Sequence, residues 1–274
     1  MNAEPILYEM HMHTTLCKHA RGEPEDYAEV AKQRGLKGMV VTCHNPTDGW
    51  TPTVRMSMAE FDEYLALVER ARIAWEGEVD VRVGIESDYV PGMEPWLENL
   101  HGLAELNHVL GSVHPHLGEY KERFFTGDFE AFQATYFEHL AMAAETGLFD
   151  TLAHPDLVKI VSPQEWDVER AIDLIRPCLD RIAAVGTAME LNTSGLNKVT
   201  AEMHPGREML AEMHERGIPV VMGADAHDPH MVAADFEDAL DLLSEIGYDK
   251  VNIFLNRQRR ELAIDLVRAS LSPQ

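Results

Sequence analysis

Short apolar runs rich in β-branched residues alternate along the chain with longer segments of helical periodicity. Residues 6–12 form the first run and predict a strand. Pro24 opens a helix through about residue 34, with Tyr27, Val30 and Ala31 at helical spacing and Gly35 as its stop. Strands follow at 36–42, 79–85, 108–113, 149–153, 188–191, 218–222 and 250–254. Between them the pattern predicts helices at about 57–75, where Ser57 and Glu60 fit a capping box, and at 94–105, 129–146, 168–184, 205–216 and 236–246; a last helix is predicted from about residue 257. No linker, low-complexity segment or repeat interrupts this order, so residues 1–274 read as a single domain.

Such βα alternation predicts an α/β fold with a parallel sheet, either closed or open. The strand ends choose between them. His11 and His13 close the first run, two apart and so on one face of a strand. The second run ends on Cys43-His44, the third on Glu86, the fourth on His114, the fifth on His154, and the seventh leads to Asp225 and His227; His19 lies in the first loop. Nine residues of metal-ligand type at corresponding places predict a TIM-like barrel, because only closure brings so many strand ends around one centre. One tetrahedral ion needs four ligands, so nine predict two or three divalent ions, with zinc, iron or manganese suited to an imidazole-rich set. The other histidines, including His101, His108, His139 and His204, fall mostly in helices or loops and receive no ligand role.

Lys plus Arg is 23 against Asp plus Glu 47, a net charge of -24, which disfavours general nucleic-acid binding. The N-terminal MNAEPILYEM lacks a signal-peptide pattern and no apolar run is long enough to span a membrane, so a soluble cytoplasmic protein without a membrane partner is expected. Cys17, Cys43 and Cys178 are odd in number and widely spaced, against a disulfide framework. Cys17 and Cys43 read first as packing residues, with a soft-ligand role as the alternative.

The segments HMHTTLCKHARG, VTCHNP, GIESDYVPG, GSVHPH, LAHPDLVK, ELNTSGLNK and GADAHDP, in this order and spacing, resemble the polymerase and histidinol phosphatase (PHP) superfamily, most of all its histidinol-phosphate phosphatase branch. The resemblance implies a distorted (β/α)7 barrel with a trinuclear site at the C-terminal face of its strands. It places His11, His13, Glu86 and Asp225 on one metal, Glu86, His114 and His154 on a second, and His19, His44 and His227 on a third. Glu86, Asp225 and His227 are the catalytic residues in this reading. Two positions depart from the family pattern: Cys43 replaces the commoner glutamate before His44, and His19 stands where many relatives have aspartate.

Three divalent ions with only Glu86 and Asp225 as anionic ligands would leave the pocket cationic under an acidic surface, suited to a phosphate dianion. The expected reaction is hydrolysis of a small phosphate ester to release inorganic phosphate, with L-histidinol phosphate as the substrate the resemblance implies. Phosphoesterase action on nucleotides or short oligonucleotides, a metal-dependent amidohydrolase and a non-catalytic PHP module are the alternatives. Lys159, Lys198 and Arg21 are candidate phosphate-binding cations at the rim, an ordinary solvated residue being the alternative for each. His116 is placed to touch substrate, and Asn192 to order ligands or cap a loop. Asp156 and Asp88 are read as hydrogen-bond partners of a ligating imidazole or of the substrate amine, a plain turn role being the alternative, and with Glu119 they make an acidic rim favouring a positively charged leaving group. No oligomeric state is read from the sequence.

Overall fold

The computed structural model describes residues 4–47 and 49–272; residues 1–3, 48, 273 and 274, including both ends of the expected domain, lie outside the described residues. Strands and helices follow one another as β1 (Tyr8–Glu9), α1 (Pro24–Gln33), β2 (Gly38–Val41), α2 (Phe61–Ala74), β3 (Asp80–Val83), β4 (Ile85–Asp88), α3 (Glu94–His101), β5 (Val109–Ser112), α4 (Gly118–Phe124) and α5 (Phe129–Glu145). Then come β6 (Thr151–Leu152), α6 (Val168–Val185), β7 (Ala188–Asn192), α7 (Arg207–Glu215), β8 (Val220–Gly223), α8 (Phe236–Ile246), β9 (Lys250–Leu255), β10 (Gln258–Ala263) and α9 (Ile264–Ser270). Local chemistry sets the boundaries as expected at α1: Pro24 begins it, the side chains of Glu23 and Asp26 cap its first turn reciprocally, and Gly35 at φ +73° ends it.

The expected strand at 79–85 continues to Asp88 and is bent at Gly84, so that β3 pairs with β2 and β4 with β5. A Cβ at Gly84 would stand 2.6 Å from His108 O, so the bend needs glycine. Parallel pairing runs from β1 through β2 and β3, and again from β4 through β5, β6 and β7 to β8. It returns to the start beyond the strand ends: His13 N donates to Ala226 O at 2.9 Å and Ala226 N to His11 O at 3.1 Å. With β3 and β4 taken as one bent strand, this is the distorted (β/α)7 TIM-like barrel.

The last part of the chain departs from the expected pattern. Instead of a helix from residue 257, β10 returns antiparallel on β9 through a two-residue turn in which Asn256 (φ +54°) and Arg257 (φ +60°) are both left-handed, and a helix begins only at Ile264. This hairpin lies against the N-terminal mouth of the barrel. Arg257 N donates to Asn107 O at 2.9 Å, the Arg257 guanidinium to Leu148 O at 2.8 Å, and Phe254 stacks on His108 with ring centroids 5.3 Å apart. A short helix, α4, also forms where none was expected. Among the described residues no helix is long and apolar enough to cross a membrane.

Candidate metal centre

At the opposite, C-terminal mouth all nine expected ligands come together around Glu86, which is 1% exposed. Its Oε2 lies 3.5 Å from His11 Nε2, 3.6 Å from His13 Nε2 and 2.5 Å from His44 Nδ1; its Oε1 lies 3.1 Å from His154 Nε2 and 3.3 Å from His114 Nε2. Asp225 Oδ1 is 3.0 Å from His13 Nε2 and 3.4 Å from His227 Nδ1. His227 Nε2 in turn faces His19 Nε2 at 2.9 Å. Donor atoms of His11, His13 and Asp225 lie within 4.8 Å of one another, as do those of His44, Glu86 and His114 and those of His13, His44 and His227.

Whether these residues fit metal ions can be tested on their unmet bonding. Glu86 Oε2, His13 Nδ1 and His44 Nδ1 are buried and without a hydrogen-bond partner, so the surrounding nitrogens crowd a carboxylate oxygen without hydrogen-bonding to it. A buried anion left this way is costly unless a cation takes its lone pairs. Burial opposes ionisation of Glu86, yet the imidazoles of His44, His11 and His114 outweigh it and hold its carboxyl well below the usual range; His11, then His13 and His227, do the same for Asp225. The donor set fits divalent ions. Two of its residues also have left-handed backbone, His154 at φ +31° and Asp225 at φ +50°, a strain that recurs at functional sites.

Behind the ligands stand Glu190 and Arg55, to which the sequence reading assigned no role, and Asp88, which bonds a ligating imidazole as expected. Glu190 on β7 is fully buried; its Oε1 accepts from His11 Nδ1 at 2.7 Å, and its Oε2 from His154 N at 2.8 Å and Asn192 Nδ2 at 3.0 Å. This fixes the tautomer and direction of His11. Gly223 makes room for it, since a Cβ there would stand 2.2 Å from Glu190 Oε1. Asp88 Oδ1 accepts from His114 Nδ1 at 2.5 Å, and Arg55 grips Asp88 with Nε at 2.7 Å and Nη2 at 2.8 Å. The sequence carries a signal for Glu190, an acidic residue inside an apolar strand, and none for Arg55, which lies in a loop.

The rim differs from expectation. Lys159 is fully buried: its ammonium donates to Asp156 Oδ2 at 2.8 Å, Glu202 Oε2 at 2.9 Å and Met203 O at 2.8 Å, so it ties two loops together and leaves no free donor for a phosphate. Asp156 also accepts from His204 Nδ1, and Asp88 is paired with Arg55. Of the three expected rim acids two are therefore buried and neutralised, and only Glu119 is partly exposed. Arg21 is exposed and joins the site through its backbone, donating to His227 O at 2.8 Å. Asn192 caps its own loop through Ser194 while bonding Glu190. Lys198, His116 and Arg55 do line the cavity above the centre, about 500 Å³ in volume, together with apolar Val54, Leu157, Ile160 and Met231.

The PHP domain family matches residues 9–194. The chain belongs to the PHP family. Asp225 and His227 lie beyond the matched span, and it is the fold that carries them back to His13. This PHP chain is 36% identical over 253 residues to a probable histidinol-phosphatase of Deinococcus radiodurans, covering 88% of this chain and 94% of that protein. It is 27% identical over 264 residues to a histidinol-phosphatase of Bacillus subtilis, covering 84% of this chain and 97% of that protein. It also superposes, at TM-score 0.79, on the histidinol phosphate phosphatase of Lactococcus lactis complexed with zinc, L-histidinol and phosphate. That match spans 93% of this chain and 98% of the other at 17% identity, a likeness of fold.

Proposed function

We propose that this chain is a cytoplasmic, metal-dependent phosphatase that hydrolyses L-histidinol phosphate to L-histidinol and inorganic phosphate. The observation that carries the metal-dependent part is the buried, unpartnered Glu86 Oε2 among the imidazoles of His11, His13 and His44. The names of the relatives that match nearly end to end support the substrate.

In this reading two or three divalent ions, zinc, manganese or iron, would be held by His11, His13, Glu86 and Asp225, by Glu86, His114 and His154, and by His19, His44 and His227. When bound, they supply Lewis acidity to the phosphoryl group and an activated water. Glu86, Asp225 and His227 do their catalytic work by holding this set. Ser112 Oγ donates to Glu86 Oε1 at 2.5 Å and Ser194 Oγ to Asp225 Oδ2 at 3.1 Å, so that the remaining carboxylate oxygens are turned to the centre. Arg55 stands at the cavity wall, 3.3 Å from His114 Nδ1, and Lys198 is exposed at its lip. These two cations orient the phosphate, and His116 and the apolar wall meet the remainder of the substrate. With Asp88 and Asp156 withdrawn into ion pairs, selection of a cationic leaving group falls to contacts other than those two acids.

Steady-state rates on metal-loaded protein test the proposal. kcat/KM for L-histidinol phosphate exceeds that for p-nitrophenyl phosphate by about tenfold or more, despite the better leaving group of the latter, because contacts remote from phosphorus lower the barrier. Nucleotide monophosphates or bis(p-nitrophenyl) phosphate turned over about tenfold better than L-histidinol phosphate would overturn the substrate and leave the phosphoesterase class.

A further inference from the structure

We propose that Cys17 supplies a thiolate to the metal position held by His19 and His227, an inference that rests on the metal-dependent reading above. His19 Nδ1 donates to Cys17 O at 2.7 Å and His227 Nδ1 to Asp225 O at 2.9 Å. A carbonyl only accepts, so each neutral ring carries its proton on Nδ1 and its lone pair on Nε2. The two Nε2 atoms nevertheless face each other at 2.9 Å, an arrangement that needs a cation between or beside them. Cys17 Sγ lies within 4.8 Å of both imidazole donors. The sulfur is brought there by a one-turn helix at Thr15–Cys17, capped by Thr14 and ended by left-handed Lys18 (φ +72°). His13, 1% exposed and with Nδ1 unpartnered, falls within the same reach of Cys17 and of Cys43.

The chemistry resolves a deficit in the ligand set. With His19 in place of an aspartate, the outer position would have only neutral imidazoles; a thiolate returns the missing negative charge and makes the position soft, favouring zinc or iron over manganese. On binding, the S–H bond of Cys17 breaks, a sulfur–metal bond forms and the proton leaves to solvent, with no change of oxidation state. Cys43 has another role: its sulfur accepts from Thr14 N at 3.4 Å and Thr14 Oγ1 at 3.2 Å and lies within 4.8 Å of the Cys17 sulfur.

X-ray absorption at the zinc edge of the zinc-loaded protein tests this directly. The wild type shows a sulfur shell at about 2.3 Å beside nitrogen and oxygen at about 2.0 to 2.1 Å. Cys17→Ser loses the sulfur shell and releases zinc to a chelator about tenfold more readily, while remaining folded by circular dichroism, and Cys43→Ser keeps the shell. A wild-type spectrum with nitrogen and oxygen alone, or a sulfur shell that survives Cys17→Ser, overturns the inference. The two readings fail separately: zinc bound without sulfur in an enzyme that hydrolyses L-histidinol phosphate removes only the thiolate, and a sulfur shell in a protein inactive on phosphate esters removes only the proposed activity.

Discussion

The two mouths of the barrel use buried histidine in opposite ways. At the N-terminal mouth His108 has both nitrogens paired, Nδ1 with Met10 O at 3.3 Å and Nε2 with Thr151 Oγ1 at 2.9 Å, and its ring lies under Phe254. At the C-terminal mouth His13 and His44 are equally buried, yet the Nδ1 of each is unpartnered, that of His44 beside the equally unpartnered Oε2 of Glu86. Burial is common to both; bonding is not. Polar groups that fold into complete sets stabilise the barrel, whereas groups left incomplete in a dry interior are kept for something the chain itself does not contain.

The sharpest way to break this contrast is Glu86→Gln. The side chain keeps its shape and loses the charge shared among His11, His13, His44, His114 and His154. We expect kcat/KM to fall by about 10³-fold with loss of bound metal, and His19→Ala at the outer edge to cost about tenfold. Metal content and rate measured on both variants decide it; His19→Ala as the slower enzyme, at equal metal loss, would contradict the central place of Glu86.

The opposite mouth should answer in stability and not in rate. Phe254→Ala uncovers His108 and opens a cavity under the β9–β10 hairpin, and is expected to destabilise the fold by about 3 to 5 kcal/mol, with kcat/KM on the folded fraction within about twofold. Urea unfolding beside rate measurements checks this, and a variant of unchanged stability but impaired rate would show that the hairpin serves the centre after all.

Much of this contrast could be read from the chain. Strand ends were legible because short apolar runs stop abruptly on histidine, glutamate or aspartate, and all nine candidate ligands fall at one face. Glu190 was hidden because its partner, His11, is 179 residues away, and a glutamate in an apolar strand says nothing about which strand it faces. Lys159 misled for a related reason: a lysine after a strand end looks like rim until Glu202 and Met203 fold over it. The final hairpin was missed because residues 258–263, QRRELA, favour a helix locally, and pairing with β9 overrides that preference. Asn256 was the available sign of a left-handed turn, and arginine in place of glycine at the next position obscured it.

Acid should also separate the two populations of histidine. Burial holds His101, His108 and His139 down to about 4, away from the centre and with no carboxylate in direct contact. In the unfolded chain these groups take up protons below about 6.5, so between about pH 6.5 and pH 4 the unfolded state binds more protons and stability falls as pH falls. Each contributes at most about 1.4 kcal/mol per pH unit across that window. Thermal unfolding of metal-free protein from pH 7 to pH 4.5 measures the slope. A flat profile would mean that these histidines are charged in the fold, against the hydroxyl partners Ser87 for His101 and Tyr120 for His139.

Glu190 tests the join between scaffold and centre. Glu190 has both oxygens occupied by donors, Oε1 by His11 Nδ1 and Oε2 by His154 N and Asn192 Nδ2. An amide of the same shape has one oxygen and one NH2, so Glu190→Gln sets donor against donor on one side and withdraws the charge that raises the basicity of His11 on the other. The cost should appear first in metal retention, about 10-fold to 100-fold, because carboxylates behind a ligating imidazole act at that level. Excess metal should then recover most of the lost rate, which distinguishes a positioning carboxylate from one that acts on the substrate. Loss of rate with unchanged metal affinity would assign Glu190 a direct part in the chemistry, and loss of the folded state would place it with His108 among the groups that complete the barrel.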